Sequence, residues 1–371
     1  MSFAGHTFTA PGRVNLIGEH TDYTGGFVLP MAINFETSAA IEPCSGDQIT
    51  FLSENFHEEV RYNLADLPSH GRGHWSDYPA GVLWMLRKKG IDVPAFTLRL
   101  SGDIPLGSGL SSSASVEVAT AMALLHHAGI KLPGEEIATL CRSVENDFVG
   151  ASSGIMDQFV IVYGRAGHAL LLDCRSLQHE NLPLPPSVSV VICNSMVKHT
   201  VAHGEYGDRN GEVLAGQAVI VRERPGIGSL RDATLGDLDA CRALMSPESY
   251  HRCRHIITEN ERVQRARVAL QAGDLASFGK LMYEAHDSFR DDFAASCPEI
   301  DKLVKIAATL PGCFGARITG GGFGGCTVNL VAADDAESFR HELMRQYKNA
   351  LGIDAESYIS RAADGALARI S

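Results

Sequence analysis

The sequence predicts an α+β protein with two domains, and three features support this expectation. The first half alternates short apolar strands with two helix-like stretches, whereas helical periodicity dominates after about residue 250. The proline-rich segment 181–187 (NLPLPPS) separates the two regions, so we expect an N-terminal domain over 1–180 and a C-terminal domain over 181–371. A length of 371 residues with 45% hydrophobic content is sufficient for two cores.

Local signals predict the elements of the second half. The segment 258–261 (TENE) is a capping box and predicts the start of a helix that ends before Gly273. A further helix is expected over 275–289, and strands are expected over 317–319 and 326–330, on either side of a glycine run. The segment 225–247 is either a second break between domains or a surface loop with a short helix.

The charge and the cysteines exclude some classes of function. A formal net charge of −12 argues against nucleic-acid binding, which requires clustered Lys and Arg. No stretch approaches the ~20 apolar residues of a membrane helix, and the first residues lack a secretory pattern. The nine cysteines include no CxxC pair, which is typical of a reducing compartment. We therefore expect a cytoplasmic protein without membrane or nucleic-acid partners. We also expect a monomer, although none of these features bears on the oligomeric state.

The densest group of polar side chains lies at residues 13–29 (RVNLIGEHTDYTGGFVL). Its glycines predict a strand, a tight turn and a second strand. Unlike acids and bases share this turn, which indicates a ligand site; a charged hairpin is the structural alternative. The polar side chains of this segment are Arg13, Glu19, His20, Asp22 and Tyr23.

A second motif, residues 105–114 (PLGSGLSSSA), leads from a turn directly into a helix predicted from the spacing of Val118, Met122 and Leu125. A glycine-rich loop at a helix N-terminus directs unpaired N–H groups and the positive end of the helix dipole toward one point, which suits a polyphosphate. N-capping would explain only one of the three successive serines. The loop lacks the Gly-Lys-Ser/Thr ending of a Walker loop, so the pattern alone does not define the nucleotide.

Three motifs in order carry a family resemblance. The segments 13–29, 105–114 and 319–325 (TGGGFGG) resemble the motifs of the galactokinases, within the small-molecule kinase superfamily that also contains homoserine, mevalonate and phosphomevalonate kinases. The resemblance implies a two-lobed small-molecule kinase fold, with an N-terminal mixed sheet with helices, a C-terminal α+β domain and the active site in the cleft between them. It also implies transfer of the γ-phosphate of ATP to the anomeric hydroxyl of D-galactose in galactose catabolism, with Mg²⁺ as cofactor.

The resemblance assigns the catalytic pair. Asp157, within the segment 154–158 (GIMDQ), matches the residue that faces the anomeric hydroxyl, and Arg13 matches the arginine beside it. A carboxylate next to a guanidinium stays ionised and can orient a hydroxyl and accept its proton. Because phosphoryl transfer depends mainly on alignment and charge neutralisation, the residues leave open whether Asp157 is a full general base or a positioning group.

The same resemblance implies the binding residues. The sugar is expected to contact Glu19, His20, Thr21, Asp22, Gly154 and Tyr206. The nucleotide is expected to contact Ser53, Trp75, Gly107, Ser108, Gly109, Leu110, Ser111, Ser112 and Ser113. The magnesium ligands are expected to be Ser113 and Glu145, the latter in a continuous helical pattern over 137–148. The resemblance implies that the glycine run at 319–325 supports the phosphate loop across the domain cleft and is not catalytic.

Two alternatives remain open at the level of sequence. One is a kinase for a related sugar such as N-acetylgalactosamine or arabinose. The other is a non-catalytic sensor of galactose and ATP, which the intact serine run, Asp157 and Arg13 disfavour. The pairs His199/His203 and His251/His255 have helical metal-site spacing, but they lack the glutamate of a zinc protease motif, so we expect no metal there.

Overall fold

The computed structural model describes residues 5–105, 107–198 and 202–369, and only the backbone of residues 198 and 202–206. The chain forms two compact units. The first unit contains the residues up to Arg13, Ala32–Ala166 and the residues from Ala362 onward, and the second contains Val14–Met31 and Gly167–Arg361. The mixture of strands and helices in both units confirms the α+β expectation.

The described residues form strands and helices in both halves of the chain. In chain order, the strands are β1 (His6–Ile17), β2 (Phe27–Pro43), β3 (Gln48–Ser53), β4 (Glu58–Asn63), β5 (Phe96–Gly102), β6 (His168–Asp173), β7 (His179–Pro183), β8 (Val188–Lys198), β9 (Cys313–Thr319), β10 (Gly324–Ala332) and β11 (Glu356–Ser360). The α-helices are α1 (Asp77–Lys88), α2 (Ser112–His127), α3 (Gly134–Ser143), α4 (Met156–Tyr163), α5 (Ala202–Glu223), α6 (Leu235–Cys241), α7 (Pro247–Gln271), α8 (Leu275–Asp291), α9 (Pro298–Ala307) and α10 (Ala336–Leu351). Short 3₁₀ helices lie at Asp22–Thr24, Leu230–Asp232, Arg242–Leu244, Ala333–Asp335 and Ala366–Arg369, and a π-helical turn follows α3 at Val144–Val149.

The first unit is a mixed sheet with helices. Its strands have the order β4-β3-β5-β2, in which β3 and β5 are parallel and the other pairs are antiparallel. Strand β3 alternates buried and less buried residues, with Phe51 among the largest buried side chains. Helix α2 contacts α1, α3 and α4 and is buried along most of its length. The segment 105–114 therefore leads into the central helix of this unit.

The second unit contains a four-stranded antiparallel sheet in the order β11-β8-β10-β9. Helix α7 contacts α5, α6 and α8, and α8 lies against β9. This last contact is close, since a Cβ atom on Gly279 would lie 1.8 Å from the carbonyl oxygen of Phe314. The core between the sheet and these helices includes Phe289 and Phe293.

The division into units differs from the one expected at residue 180. Phe27 at the start of β2 pairs with Asp173 of β6, and Arg231 donates a 2.7 Å hydrogen bond to the same aspartate. These contacts join residues 14–31 and the β6–β7 hairpin to the second unit. The prolines at 183–186 mark the connection between β7 and β8, which both lie inside that unit.

Helix α7 starts earlier than the capping box predicts. Ser246 is its N-cap and accepts a hydrogen bond from the amide of Ser249, whereas Thr258 lies inside the helix and donates to the carbonyl of Arg254. The expectation of a helix start at 258–261 was therefore wrong, because the same residue types also occur inside helices when a threonine bonds the preceding turn. The helix end before Gly273, the following helix and both strands around the glycine run are confirmed. The segment 225–247 is a connection with short helices inside the second unit.

Candidate active site

The first unit contains a largely buried ion pair between Arg13 and Asp157. Arg13 Nε donates to Asp157 Oδ1 and Nη2 donates to Oδ2, both at 2.6 Å. The Arg13 side chain is 7% exposed, whereas that of Asp157 is 24% exposed. This is the bidentate arrangement in which a planar guanidinium fixes a carboxylate most firmly. Part of the carboxylate remains accessible, as a group that acts on a ligand requires.

The glycine-serine loop holds Arg13 from the other side. Arg13 Nη1 donates to the carbonyl of Gly109 at 2.6 Å, and its amide donates to the carbonyl of Leu110 at 3.1 Å. The Ser111 hydroxyl donates to Asp157 Oδ2. Ser111 also has a φ of +59°, an unfavourable conformation for a residue with a side chain and one that clusters at functional sites. The loop, the arginine and the aspartate thus form one hydrogen-bonded assembly.

The serines of the segment 105–114 differ in their hydrogen bonds and positions. Ser108 is buried and donates to the carbonyl of Pro105, so its side chain supports the loop. Ser111 precedes the first residue of α2 but makes no side-chain capping bond, which excludes simple N-capping. Ser112 begins the helix, where backbone N–H groups have no partner within the helix. Gly107 has a φ of +66°, which a turn in this direction requires. This geometry suits an anion at the helix start.

Ser113 and Glu145 form a second polar pair. The Ser113 hydroxyl donates to Glu145 Oε1 at 3.0 Å. Glu145 lies in the π-helical turn at Val144–Val149, where the sequence predicted a continuous helix. Such turns shift the direction of side chains and are frequent at functional sites. Burial raises the pKa of Glu145, so a nearby cation would stabilise its ionised form.

These two side chains fit a magnesium ion. Mg²⁺ prefers oxygen ligands and needs only one or two from the protein, and a hydroxyl beside a buried carboxylate supplies them. Within the described residues there is no cluster of three or more His, Cys, Asp or Glu side chains that could hold a metal ion. A cation here would therefore be coordinated by the oxygens of Ser113 and Glu145 and by oxygens of water or of a bound phosphate.

The second unit contains residues 14–29, which we call the sugar motif because the family resemblance implies that they bind the sugar. Glu19 is buried, and its Oε1 accepts hydrogen bonds from the amide of Gly320 at 3.0 Å and from Arg317 Nη1 at 3.4 Å. Thr319 Oγ1 accepts the amide of Asn15 at 3.1 Å. The third glycine motif therefore positions the sugar motif directly, a role that the sequence did not predict.

His20 and its neighbours complete this turn. His20 has a φ of +63° and stacks on Phe293 with ring centroids 4.0 Å apart. Burial lowers the pKa of His20, so the ring is neutral at pH 7. Thr21 donates to the carbonyls of Gly18 and Phe27 and hence stabilises the turn. Asp22 is half-buried and begins the 3₁₀ helix.

Three buried polar or charged side chains of α7, His255, Glu259 and Arg262, form a layer that contacts the backbone of the turn at residues 18–20. Glu259 Oε1 accepts the amides of Gly18 at 2.8 Å and Glu19 at 3.3 Å, and its Oε2 accepts from Arg262 Nε at 2.6 Å. Although burial alone opposes ionisation, Arg262, His255 and Arg317 together lower the pKa of Glu259 to about 2. His255 Nε2 lies 3.3 Å from the carbonyl of Glu19, and burial lowers the pKa of His255 to about 4. The histidine is thus a neutral donor to that carbonyl.

Sequence reasoning missed this layer because its members are distant in the chain. The amides of Gly18 and Glu19 are 241 and 240 positions away from the Glu259 carboxylate that accepts them, so no local motif could connect them. The one available signal was the spacing of His255, Glu259 and Arg262, which places three polar or charged side chains on one face of α7. A polar helix face normally indicates exposure to solvent, whereas here it is buried.

The remaining expected site residues have weaker structural support. Trp75 stacks on Phe56 with ring centroids 6.2 Å apart and donates to Glu58 at 2.7 Å, and it is only half-buried. Ser53 is buried at the end of β3. Gly154 is buried just before α4.

Two sequence expectations involve residues that the structure does not fully describe. The side chain of Tyr206 and the pair His199/His203 lie outside the described residues. In the other pair, His255 belongs to the layer below the turn and His251 contacts Asp292 at 3.3 Å.

The glycine-serine loop at a helix start, the arginine–aspartate pair and the hydroxyl–carboxylate pair are the features expected of a small-molecule kinase, and the family models confirm this class. Three family models match the chain: "GHMP kinases N terminal domain" over residues 77–165, "Galactokinase galactose-binding signature" over 2–43 and "GHMP kinases C terminal" over 266–349. The last match lies within the second unit.

Similar proteins and a solved structure identify the family within this class of kinases. The chain is 44% identical to the galactokinase of Roseiflexus sp. over 356 residues and 42% identical to that of Homo sapiens over 367 residues, each covering 96% of this chain and 91% of the relative. The crystal structure of Lactococcus lactis galactokinase complexed with galactose matches with a TM-score of 0.93 at 34% identity, over 98% of this chain and 94% of the other. Methanococcus jannaschii mevalonate kinase, with a TM-score of 0.70 at 21% identity over 97% of this chain and 99% of that one, shares the fold. The chain belongs to the galactokinase family.

Two further observations concern membrane-spanning helices and the cysteines. Within the described residues, no helix combines the length and apolar character needed to cross a membrane. All nine cysteines are free thiols, and most are buried.

Proposed function

We propose that the protein transfers the γ-phosphate of ATP to the anomeric hydroxyl of D-galactose, giving galactose 1-phosphate and ADP. The observation that carries this proposal is the bidentate pair of Arg13 and Asp157, joined by the Ser111 hydroxyl at the start of α2. A carboxylate next to a helix start suited to phosphate supports this proposal, because phosphoryl transfer needs both groups close together.

In the proposed reaction, the anomeric oxygen of galactose forms a bond to the γ-phosphorus as the bond from that phosphorus to the bridging oxygen of ADP breaks. Asp157 orients the hydroxyl and accepts its proton, and Arg13 stabilises negative charge on the transferred group. The backbone amides at the start of α2 bind the other phosphates. ADP leaves with the electron pair of the broken bond.

We propose Ser113 and Glu145 as the residues that hold Mg²⁺. When bound, the ion neutralises charge on the ATP phosphates. Glu145 supplies a buried carboxylate, and the Ser113 hydroxyl orients that carboxylate through a 3.0 Å hydrogen bond.

The sugar motif supplies recognition in this proposal. Asp22 and Glu19 offer acceptors for ring hydroxyls, and the neutral ring of His20 offers one donor and one acceptor. A sugar with one hydroxyl inverted would leave a buried polar group unpaired, which is the strongest basis for discrimination between epimers. We propose Gly154 and Tyr206 as further sugar contacts, and Ser53 and Trp75 as nucleotide contacts.

An ADP-release assay with purified protein, Mg²⁺-ATP and separate sugars tests the function. We expect the fastest release with galactose, and ³¹P NMR should identify a sugar 1-phosphate. A clear preference for N-acetylgalactosamine or arabinose would change the substrate and leave the mechanism intact. Binding of galactose without ADP release would support the sensor alternative.

We further propose that the protein acts as a cytoplasmic monomer. Nine free thiols are compatible with a reducing compartment, where thiols persist. Light scattering after size-exclusion chromatography should give the mass of one chain, 39.8 kDa. A mass of twice that value would refute the monomer.

Substitution of the proposed magnesium ligand should change the metal requirement. We expect Glu145→Gln to raise the Mg²⁺ concentration for half-maximal activity by roughly 10–100-fold, a typical effect of disturbing a metal site. The exposed Asp147 lies on the same π-helical turn, so Asp147→Asn is the matched control and should behave as wild type. Magnesium titrations of kcat measure both variants, and an unchanged requirement in Glu145→Gln would contradict the assignment.

A further inference from the structure

A buried pair of side chains beside the proposed catalytic aspartate is not used in the mechanism above. Glu117 lies on α2 and Gln158 on α4, both in the first unit, and both are fully buried. Gln158 Nε2 donates to Glu117 Oε2 at 3.2 Å. Among the described residues, neither Glu117 Oε1 nor Gln158 Oε1 has a hydrogen-bond partner. The Glu117 carboxyl and the Gln158 amide therefore share one hydrogen bond, and each has one oxygen without a hydrogen-bond partner.

The surroundings of Glu117 oppose a negative charge. The titratable groups that face it are Tyr78 of α1, Cys141 of α3, Glu145 of the π-helical turn and Asp157 of α4. Each of the four is either neutral or negative, so none offers a cation. Burial raises the pKa of Glu117 well above its ordinary value. An ionised Glu117 would also leave a charged oxygen without any donor, which is costly in a buried position.

A proton on Glu117 removes the buried negative charge and supplies a donor for the oxygen that lacks a partner. The carboxylic acid then has an O–H donor, and Gln158 Oε1 is the acceptor that lacks a partner. The acid and the amide can form two reciprocal hydrogen bonds, one in each direction. Both leftover oxygens are then satisfied, as is usual for buried polar groups.

We propose that Glu117 is a positioning residue for Asp157, as a neutral carboxylic acid that forms a reciprocal two-bond pair with Gln158. Asp157 immediately precedes Gln158 in the first turn of α4, and the N-cap of this helix, Ile155, makes no side-chain capping bond. The pair with Glu117 therefore ties this turn to the central helix α2. It holds Asp157 in the orientation in which Arg13 and Ser111 bind it. This inference rests on the proposed function.

The first experiment compares two substitutions at one position. In Glu117→Gln, the new amide can donate to Gln158 Oε1 and accept from its Nε2, so we expect kcat to stay within about twofold of wild type. Glu117→Leu removes both bonds, and we expect a loss of kcat of roughly tenfold or more with the KM for galactose within about twofold. An equal loss in both variants would overturn the neutral acid. Wild-type kcat in the folded Glu117→Leu protein would overturn the positioning role.

A double substitution covers the case in which Glu117→Leu does not fold. Glu117→Gln combined with Gln158→Glu exchanges the acid and the amide and preserves a reciprocal pair. We expect this double variant to fold and to retain more kcat than Gln158→Leu. Activity no better than that of Gln158→Leu would contradict the pair.

One spectroscopic and one pH measurement separate this inference from the proposed function. Infrared difference spectra of wild type and Glu117→Gln near neutral pH should show a protonated carboxyl band only in wild type, whether or not the protein is a kinase. The pH profiles of kcat for the two proteins should coincide near neutral pH, because the side chain at position 117 is uncharged there in both proteins. A missing band or displaced profiles would overturn the proposal, whereas a band without galactose-dependent ADP release would overturn only the proposed function.

Discussion

Asp157→Ala should lower kcat for galactose phosphorylation by about 10³-fold, the middle of the range for loss of a positioned proton acceptor. The substitution removes the group that we propose orients the hydroxyl, and it leaves Arg13, whose side chain is 7% exposed, without its bidentate partner. The KM for ATP should change much less, because the loop amides and the Ser113–Glu145 pair are retained. Steady-state kinetics of the folded variant, checked by circular dichroism, measure the effect.

A second substitution distinguishes the two roles left open for this residue. Asp157→Asn keeps the size of the side chain but cannot accept a proton. If the Asn and Ala variants are equally slow, proton acceptance is the main contribution; if the Asn variant is much faster, orientation is. The exposed Asp66 provides a matched control, and Asp66→Ala should retain wild-type kcat. Near wild-type turnover in Asp157→Ala would refute the site.

Motifs within the chain predicted the parts of the site that are local in sequence. The loop at 105–114 leads into a helix as expected, because glycines and helical periodicity are both short-range signals. Arg13 and Asp157 are 144 positions apart, and only the family resemblance placed them together. The structure also shows what holds the pair in place: Ser111 donates a hydrogen bond to the aspartate, and the carbonyl of Gly109 accepts one from the arginine.

The parts that the sequence did not predict depend on tertiary contacts. The π-helical turn at Glu145 is a small change in backbone register, which residue patterns do not resolve. Helix α7 starts at Pro247 because Ser246 caps it, and the stronger capping pattern at 258–261 hid this start. His255 and Glu259 of α7 satisfy backbone groups of the sugar motif, and no property of α7 alone indicates that these two side chains are buried. Sequence patterns assume that charged side chains face water, and this assumption fails where charges pair with one another.

The largest effect on stability should come from one member of that buried layer. Glu259→Gln should lower the free energy of unfolding by about 3–5 kcal/mol, because it leaves the buried guanidinium of Arg262 without its anion. It also weakens the acceptor for the amides of Gly18 and Glu19, so galactose affinity should fall. Urea unfolding monitored by fluorescence measures the first effect. Glu261→Gln, an exposed neighbour on α7, is the control and should unfold as wild type.

The same prediction has a pH dependence with a definite direction. The pKa of Glu259 is about 2 in the folded protein against an ordinary value of 4.5, so folding favours the ionised form. Its contribution to stability is therefore complete above about pH 4.5 and is lost as the pH falls toward 2. The difference in unfolding free energy between wild type and Glu259→Gln should accordingly be largest near pH 7 and should shrink at about pH 3. A difference below about 1 kcal/mol at pH 7, or one that grows on acidification, would show that Glu259 does not stabilise the layer as an anion.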